Sequence, residues 1–185
     1  MIEDLLDDAK RRMDKSVEAT AHEFNTVRTG RASAALLDRV KVDYYGQETP
    51  LNQLSTINVP EPRLLTIQPY DPSSIKTIER ALLESELGLT PSNDGKVIRL
   101  PIPQLTEERR KELVKVVRHL AEEGRVAVRN VRRDCMHHLK ELVDNGDVGA
   151  DEEHRAEDRV QKLTDEHTHS IDDLLKRKEA EIMEV

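Results

Sequence analysis

Four arginines, Arg118, Arg125, Arg129 and Arg132, recur within Arg118-His-Leu-Ala-Glu-Glu-Gly-Arg-Val-Ala-Val-Arg-Asn-Val-Arg-Arg-Asp134. Guanidinium groups suit one chemistry above others. They stay charged at physiological pH, fork bidentately onto phosphate or carboxylate, and shed water more readily than an ammonium group. Read as a helix at about 100° per residue, the segment puts Leu120, Gly124, Ala127, Val128 and Val131 on one apolar stripe. The four arginines form a second stripe turned roughly 120° away. Such a line reads as a surface for a polyanion. The competing reading is a solvated face held by short-range ion pairs, and Glu122 and Glu123 are placed to answer some of the arginines.

Other chemistries find less support. His137-His138, His154 and His167-x-His169 offer imidazoles, but neighbours one or two apart point to different helix faces. No H-E-x-x-H, Cys-x-x-Cys or G-x-x-x-x-G-K-[ST] string occurs. Gly30, Gly46, Gly88 and Gly95 are scattered turn residues. The expectation is a protein with no catalytic residue, no metal and no cofactor, and not an enzyme. The alternative class to a polyanion binder is a helical scaffold for another protein, which would not need the arginine stripe.

The elements that position the stripe follow from composition and period. Of 185 residues, 36% are charged, 36% hydrophobic and 2% aromatic, thin material for a thick core but ample for long helices with narrow buried stripes. The net charge of -8 is unevenly spread: residues 1–143 carry 23 Lys+Arg against 23 Asp+Glu, and residues 144–185 carry 6 against 14. An acidic excess confined to one element leaves room for a local cationic face, and the acidic flank limits indiscriminate binding. No apolar run approaches the roughly 18 residues of a spanning helix, and the N-terminus is too acidic for a signal peptide. A cytoplasmic chain that makes no membrane contact and works as a monomer is expected. Cys135, the single cysteine, falls on an apolar stripe and reads as a buried, inert thiol.

Apolar residues recur at three- and four-residue gaps from Ile2 to Val27 (Leu6, Ala9, Met13, Val17, Ala21, Phe24) and again from Thr106 to Val143. Thr106 is a hydroxyl N-cap for the second helix. Asp144-Asn-Gly-Asp-Val-Gly149 breaks it, and a third helix starts near Asp151 and runs through Ala156, Val160, Leu163, Ile171, Leu174 and Ile182. Three such helices hide their stripes by packing side by side, at about 20° crossing. The middle differs, since all 8 prolines lie between Pro50 and Pro103. Val40–Tyr45 alternates, with Gly46-Gln47 as a hairpin turn; 54–59, 64–68 and 97–100 read as strands, and Asp71-Pro72 caps a helix stopped by Gly88. The expected domains are a discontinuous helical unit, 1–29 with 106–185, and a small β/α/β unit, 30–105, on two short linkers.

Several strings then carry a family resemblance: Val27-Arg-Thr-Gly-Arg-Ala-Ser33, Tyr44-Tyr-Gly46, Leu105-Thr-Glu-Glu-Arg-Arg-Lys111, Arg125-Val-Ala-Val-Arg-Asn-Val-Arg-Arg-Asp134 and Val160-Gln-Lys-Leu-Thr-Asp165. Together they resemble bacterial ribosome recycling factor over essentially the whole chain. The resemblance implies an α+β, L-shaped molecule: an elongated antiparallel three-helix bundle with an inserted β/α/β sandwich. It implies a factor that binds the post-termination ribosome across the tRNA sites of the large subunit and, with elongation factor G and GTP hydrolysis, splits the subunits for reuse. Carried over by position, the rRNA-contacting residues are Arg28 and Arg31, then Arg129 and Arg132, with Arg125 and Arg133 beside them and Arg133 ranked below Arg132. Thr29, Gly30, Ala32, Leu105 and Thr106 form the implied hinge. Gly124, where relatives more often carry Ala, and Cys135-Met-His-His138 depart from the family pattern.

Overall fold

Absence of Gly and Pro, acidic side chains in the first turn and a three–four apolar spacing make the N-terminal segment a helix, α1, Ile2–Asn25. In the computed structural model, which describes residues 1–184, α1 stops two residues short of Val27 because Thr26 turns the chain. Its N–H reaches Glu23 O, the next N–H, of Val27, reaches Phe24 O, and the Thr26 hydroxyl donates to Glu23 O at 2.6 Å. The chain divides into two compact units, Met1–Arg28 with Thr106–Val185, and Thr29–Leu105. Thr29 thus falls with the inserted unit.

The first unit is a bundle of α1, α4 (Glu107–Asp144) and α5 (Ala150–Met183). Thr106 Oγ1 caps α4 by accepting from Arg109 N at 3.1 Å. At the other end Asp147 N bonds Leu142 O and Gly146 N bonds Val143 O, with Gly146 at φ +78°. This is a left-handed C-terminal cap that only glycine adopts cheaply. No side chain caps α5; it starts at Ala150 after Gly149, one residue before the expected cap Asp151. Inter-helix contacts set the directions: Arg12–Asp134 and Thr20–Gly124 run α1 against α4, while Glu3–Arg159 and Asp14–His167 run α1 alongside α5.

Met13, Val117, Val128, Leu139, Val160, Ile171 and Ile182 are fully buried between the helices, the larger ones contributing about 1.5–3 kcal/mol each. The middle of the seam is polar and small. Buried Thr20 lies against Gly124, and a Cβ on Gly124 would collide with Thr20 Oγ1 and sit 3.2 Å from Ile171 Cδ1. His167, also buried, sets Nδ1 against Leu163 O and Nε2 against Asp14 Oδ1, both at 2.6 Å. That hydrogen bond holds the Asp14 carboxyl below the usual range. His169 points outward, 3.5 Å from Asp173.

The inserted unit has a hairpin, β1 (Lys41–Tyr44) with β2 (Gln47–Pro50), and a four-stranded antiparallel sheet. That sheet comprises β3 (Ser55–Glu61), β4 (Leu64–Pro69), β5 (Ser92–Asn93) and β6 (Ile98–Pro101) in the order β3-β4-β6-β5. The hairpin turn is Tyr45-Gly46, one residue earlier than the sequence suggests. Both residues have positive φ, 51° and 83°, the pairing that matches strand twist. A helical turn, α2 (Leu51–Leu54), precedes β3. Asp71 caps a 3₁₀ turn, Pro72–Ser74, leading into α3 (Ile75–Glu84), which ends at Ser85, short of Gly88. Leu65 and Ile67, Ile98 and Leu100, at period two, meet Ile75, Ile78 and Leu82, at helical period, in one core. The family's α+β architecture is therefore present, and no described helix is long and apolar enough to cross a membrane.

Two predictions follow from this packing. Gly124→Ala adds helix propensity worth about 1 kcal/mol but overpacks the Thr20 contact at about 1–3 kcal/mol. The expected outcome is a melting temperature lower by roughly 2–4 °C, and a Thr20→Ala/Gly124→Ala double variant more stable than Thr20→Ala alone. In the β5–β6 turn, Asp94 Oδ1 accepts from Val97 N and Lys96 N at 2.8 and 3.0 Å, and Arg99 donates to Oδ2. These bonds lower its pKa from 3.8 to about 2. Because the folded value is depressed, its stabilisation is full above about pH 4 and is lost as pH falls toward 2. An NMR carboxyl titration of Asp94 with its midpoint near 4 would contradict this.

Candidate RNA-binding face and its arginine ladder

Seven residues are two helical turns, so side chains seven apart on a helix point the same way. Arg118, Arg125 and Arg132 stand at that spacing on α4, and Glu179, Asp172 and Asp165 at the same spacing, reversed, on α5. The antiparallel register brings them level. Arg118 Nε donates to Glu179 Oε1 at 2.6 Å, and Arg125 Nε to Asp172 Oδ1 at 2.8 Å. At the third rung Arg132 Nη1 donates to Gln161 Oε1 at 2.7 Å, and Gln161 Nε2 passes the contact to Asp165 Oδ1 at 2.9 Å. The ladder fastens α4 to α5.

The single arginine stripe read from the sequence therefore splits. Arg118 and Arg125 are committed to the ladder, and the Arg125 side chain is only 22% exposed. Arg132, expected on the open stripe, is half-buried on the α5 side, with its Nε buried and unbonded. The reason is register: it lies closer to the buried seam than Arg129 does. Arg129 and Arg133, one turn apart, are the exposed pair; Arg129 meets Glu122 at 2.5 Å, and the charge of Arg133 acts on Asp134 through space. The order Arg132 above Arg133 is thus reversed for accessibility. On the same arc at 100° per residue falls exposed Lys140, which sequence reasoning passed over.

Glu122 sits inside this face. Its Oε1 accepts from Arg129 Nη2 at 2.5 Å and its Oε2 from Arg125 Nη1 at 3.1 Å. These two bonds, Arg129 first, keep its carboxyl below the ordinary range, so it is ionised at neutral pH. The α5 partners were missed in the sequence, although the acidic heptad 165, 172, 179 was there to be matched against 118, 125, 132. Cys135 is buried, its thiol pushed up by burial and 3.8 Å from Leu5 O.

The remaining expected residues lie at the chain's two crossings between units. Arg28 is exposed three residues beyond the end of α1, so it does not close that helix, and Arg31 is exposed just inside the inserted unit. Gly30 has φ +78°, and a Cβ there would meet Leu105 Cγ at 3.1 Å. Ala32 N bonds Pro62 O at 2.7 Å and Ile102 N bonds Arg63 O at 2.8 Å, anchoring both connections to the β3–β4 turn. No group of three or more His, Cys, Asp or Glu that would hold a metal ion occurs among the described residues.

If the ladder fastens the helices, Asp172→Asn, which strips the carboxylate from half-buried Arg125, should lower the melting temperature by roughly 2–4 °C. Asp173→Asn, which meets exposed His169 at 3.5 Å, should shift it by no more than about 1 °C. Equal shifts by thermal circular dichroism would remove the distinction.

Comparison with known proteins agrees along the whole chain. The family model for ribosome recycling factor matches residues 20–183. The chain is 59% identical to the ribosome-recycling factor of Rubrobacter xylanophilus over 97% of both chains. It is 57% identical to that of Bacillus subtilis over 100% of both. A solution structure of the ribosome recycling factor superposes with a TM-score of 0.75 at 45% identity, covering 100% of this chain and 98% of that one. A second match, TM-score 0.64 and 46% identity over 100% of both chains, comes from models for the T. thermophilus ribosome recycling factor and the E. coli elongation factor G bound to the E. coli post-termination complex. By sequence and by fold, this chain belongs to the ribosome recycling factor family.

Proposed function

We propose that this chain binds the post-termination ribosome in the cytoplasm and, with elongation factor G and GTP hydrolysis, splits it into subunits for reuse. The observation that carries this is the match over the full length of both chains at 54–59% identity, with relatives that all bear the name ribosome-recycling factor. A relative bound to the post-termination complex together with elongation factor G supports the same partners.

The chain's own share is mechanical. Arg129 and Arg133, with Lys140 on the same arc, present cations that neutralise rRNA phosphates of the large subunit. Arg28 and Arg31 add charge where the chain passes between its two units. Arg132 and Arg125 act mainly by holding the rung geometry that turns Arg129 and Arg133 outward. The connections at Thr29–Ala32 and Leu105–Thr106 serve as the hinge through which force on the inserted unit reaches the bundle. GTP hydrolysis belongs to the partner, and no catalytic group is assigned here.

Binding that depends on phosphate neutralisation weakens with salt in proportion to the contacts made. Arg129→Ala and Arg133→Ala should each weaken binding to purified large subunits about tenfold and flatten the log–log salt slope by roughly one. Arg11→Ala, on α1 and already paired with Asp8, should leave both unchanged. Wild-type affinity and recycling by the Arg129→Ala/Arg133→Ala double variant would defeat the proposal.

A further inference from the structure

The partners of Arg118, Arg125, Arg129 and Arg132 are of two kinds. Asp172, Glu179 and Gln161 reach across from α5 and hold two helices together. Glu122 holds nothing across a boundary. It lies on α4 with its two oxygens on Arg125 and Arg129, its side chain 52% exposed and that of Arg129 44% exposed. Two anionic oxygens, each facing a guanidinium, are the arrangement a phosphodiester would supply at the same place. The bundle does not need the bond, because Arg125 keeps Asp172 when Glu122 is gone.

We infer that Glu122 is an internal competitor for phosphate, a carboxylate that occupies the phosphate position of the arginine face and lowers its affinity for any RNA that must displace it. The inference rests on the reading of that face as the rRNA contact. Exposed ion pairs are weak, so a phosphate can displace this one. The cost of displacement is the same whatever the RNA, so it lowers every affinity by the same factor. A flexible single strand that engages one or two phosphates then falls below the strength at which it stays bound. A folded RNA that engages Arg129, Arg133 and the charges around them together remains bound despite it.

Glu122→Gln keeps the side chain's length and removes its charge; Glu122→Ala covers the case in which the amide still holds Arg129. Each is compared with wild type for binding to poly(U) and to purified large ribosomal subunits across a salt series, after circular dichroism has shown the helices intact. Glu123→Gln is the control for net charge, since Glu123 pairs with His119 and bridges no arginine. The expected result is poly(U) affinity raised about tenfold and a salt slope steeper by roughly 0.7–1.4, one or two further phosphates on a single strand. Affinity for the large subunit should rise by a similar factor, and Glu123→Gln should change neither. Unchanged poly(U) binding overturns the inference, and so does weaker binding, which would make Glu122 a residue that positions Arg129. Arg129→Ala run alongside separates the failures. If it weakens subunit binding while both Glu122 variants leave poly(U) binding unaltered, the inference alone fails. If it leaves subunit binding intact, the reading of the face fails and takes the inference with it.

Discussion

Two antiparallel helices that meet every seven residues leave little freedom in which side chains face outward. In this bundle the meeting points are Arg118 with Glu179, Arg125 with Asp172, and Arg132 through Gln161 with Asp165. Ion pairs at the surface of a bundle each contribute at most about 1 kcal/mol; the buried apolar stripes supply most of the stability. What the rungs specify is register. Sliding α5 by one turn would set all three arginines against the wrong partners at once. With register fixed, the residues on the far side of the rungs, Arg129 and Arg133, have nowhere to point but solvent. The outward face is a by-product of the inward one.

The seam beneath shows the same economy of apolar material. Only one phenylalanine is available to the chain and no tryptophan, so the bundle's middle is filled by close approach rather than bulk. Thr20 turns its hydroxyl back to Ser16 O at 2.9 Å and fits against Gly124, where any side chain would intrude. One step along, His167 replaces a hydrophobe and makes two short bonds to acceptors from α1 and its own helix. Neither site weakens the seam, because each buried polar atom is answered.

Periodicity alone made the architecture legible: three long helices, an inserted proline-rich unit, and crossings near Thr29 and Leu105 all follow from spacing. What stayed hidden is what period cannot express. Thr20 and His167 are polar letters on a buried stripe, and only a partner on another helix makes them acceptable there. Tyr45 in a left-handed turn is a rare choice for a side chain with a Cβ, so glycine drew the hairpin one residue too far along. The arginines were visible as a group, but their division into those fastened to α5 and those on the exposed face depended on α5, some 30 to 60 residues away in the chain. A helical wheel for one helix carries no information about which of its flanks another helix will cover.

The bundle is assembled from pieces of chain that the inserted unit separates, with α1 ending at Asn25 and α4 beginning at Glu107. During synthesis the inserted unit is contiguous and can close on its own core as soon as β6 emerges, whereas α1 must wait with Leu6, Met13 and Phe24 unburied until both later helices exist. The helix made before the insertion is thus completed after it. A nascent chain of this design carries a bare amphipathic helix until the bundle closes, and the pressure to keep that helix rich in charge, with its one aromatic side chain, Phe24, at its far end, falls on its sequence.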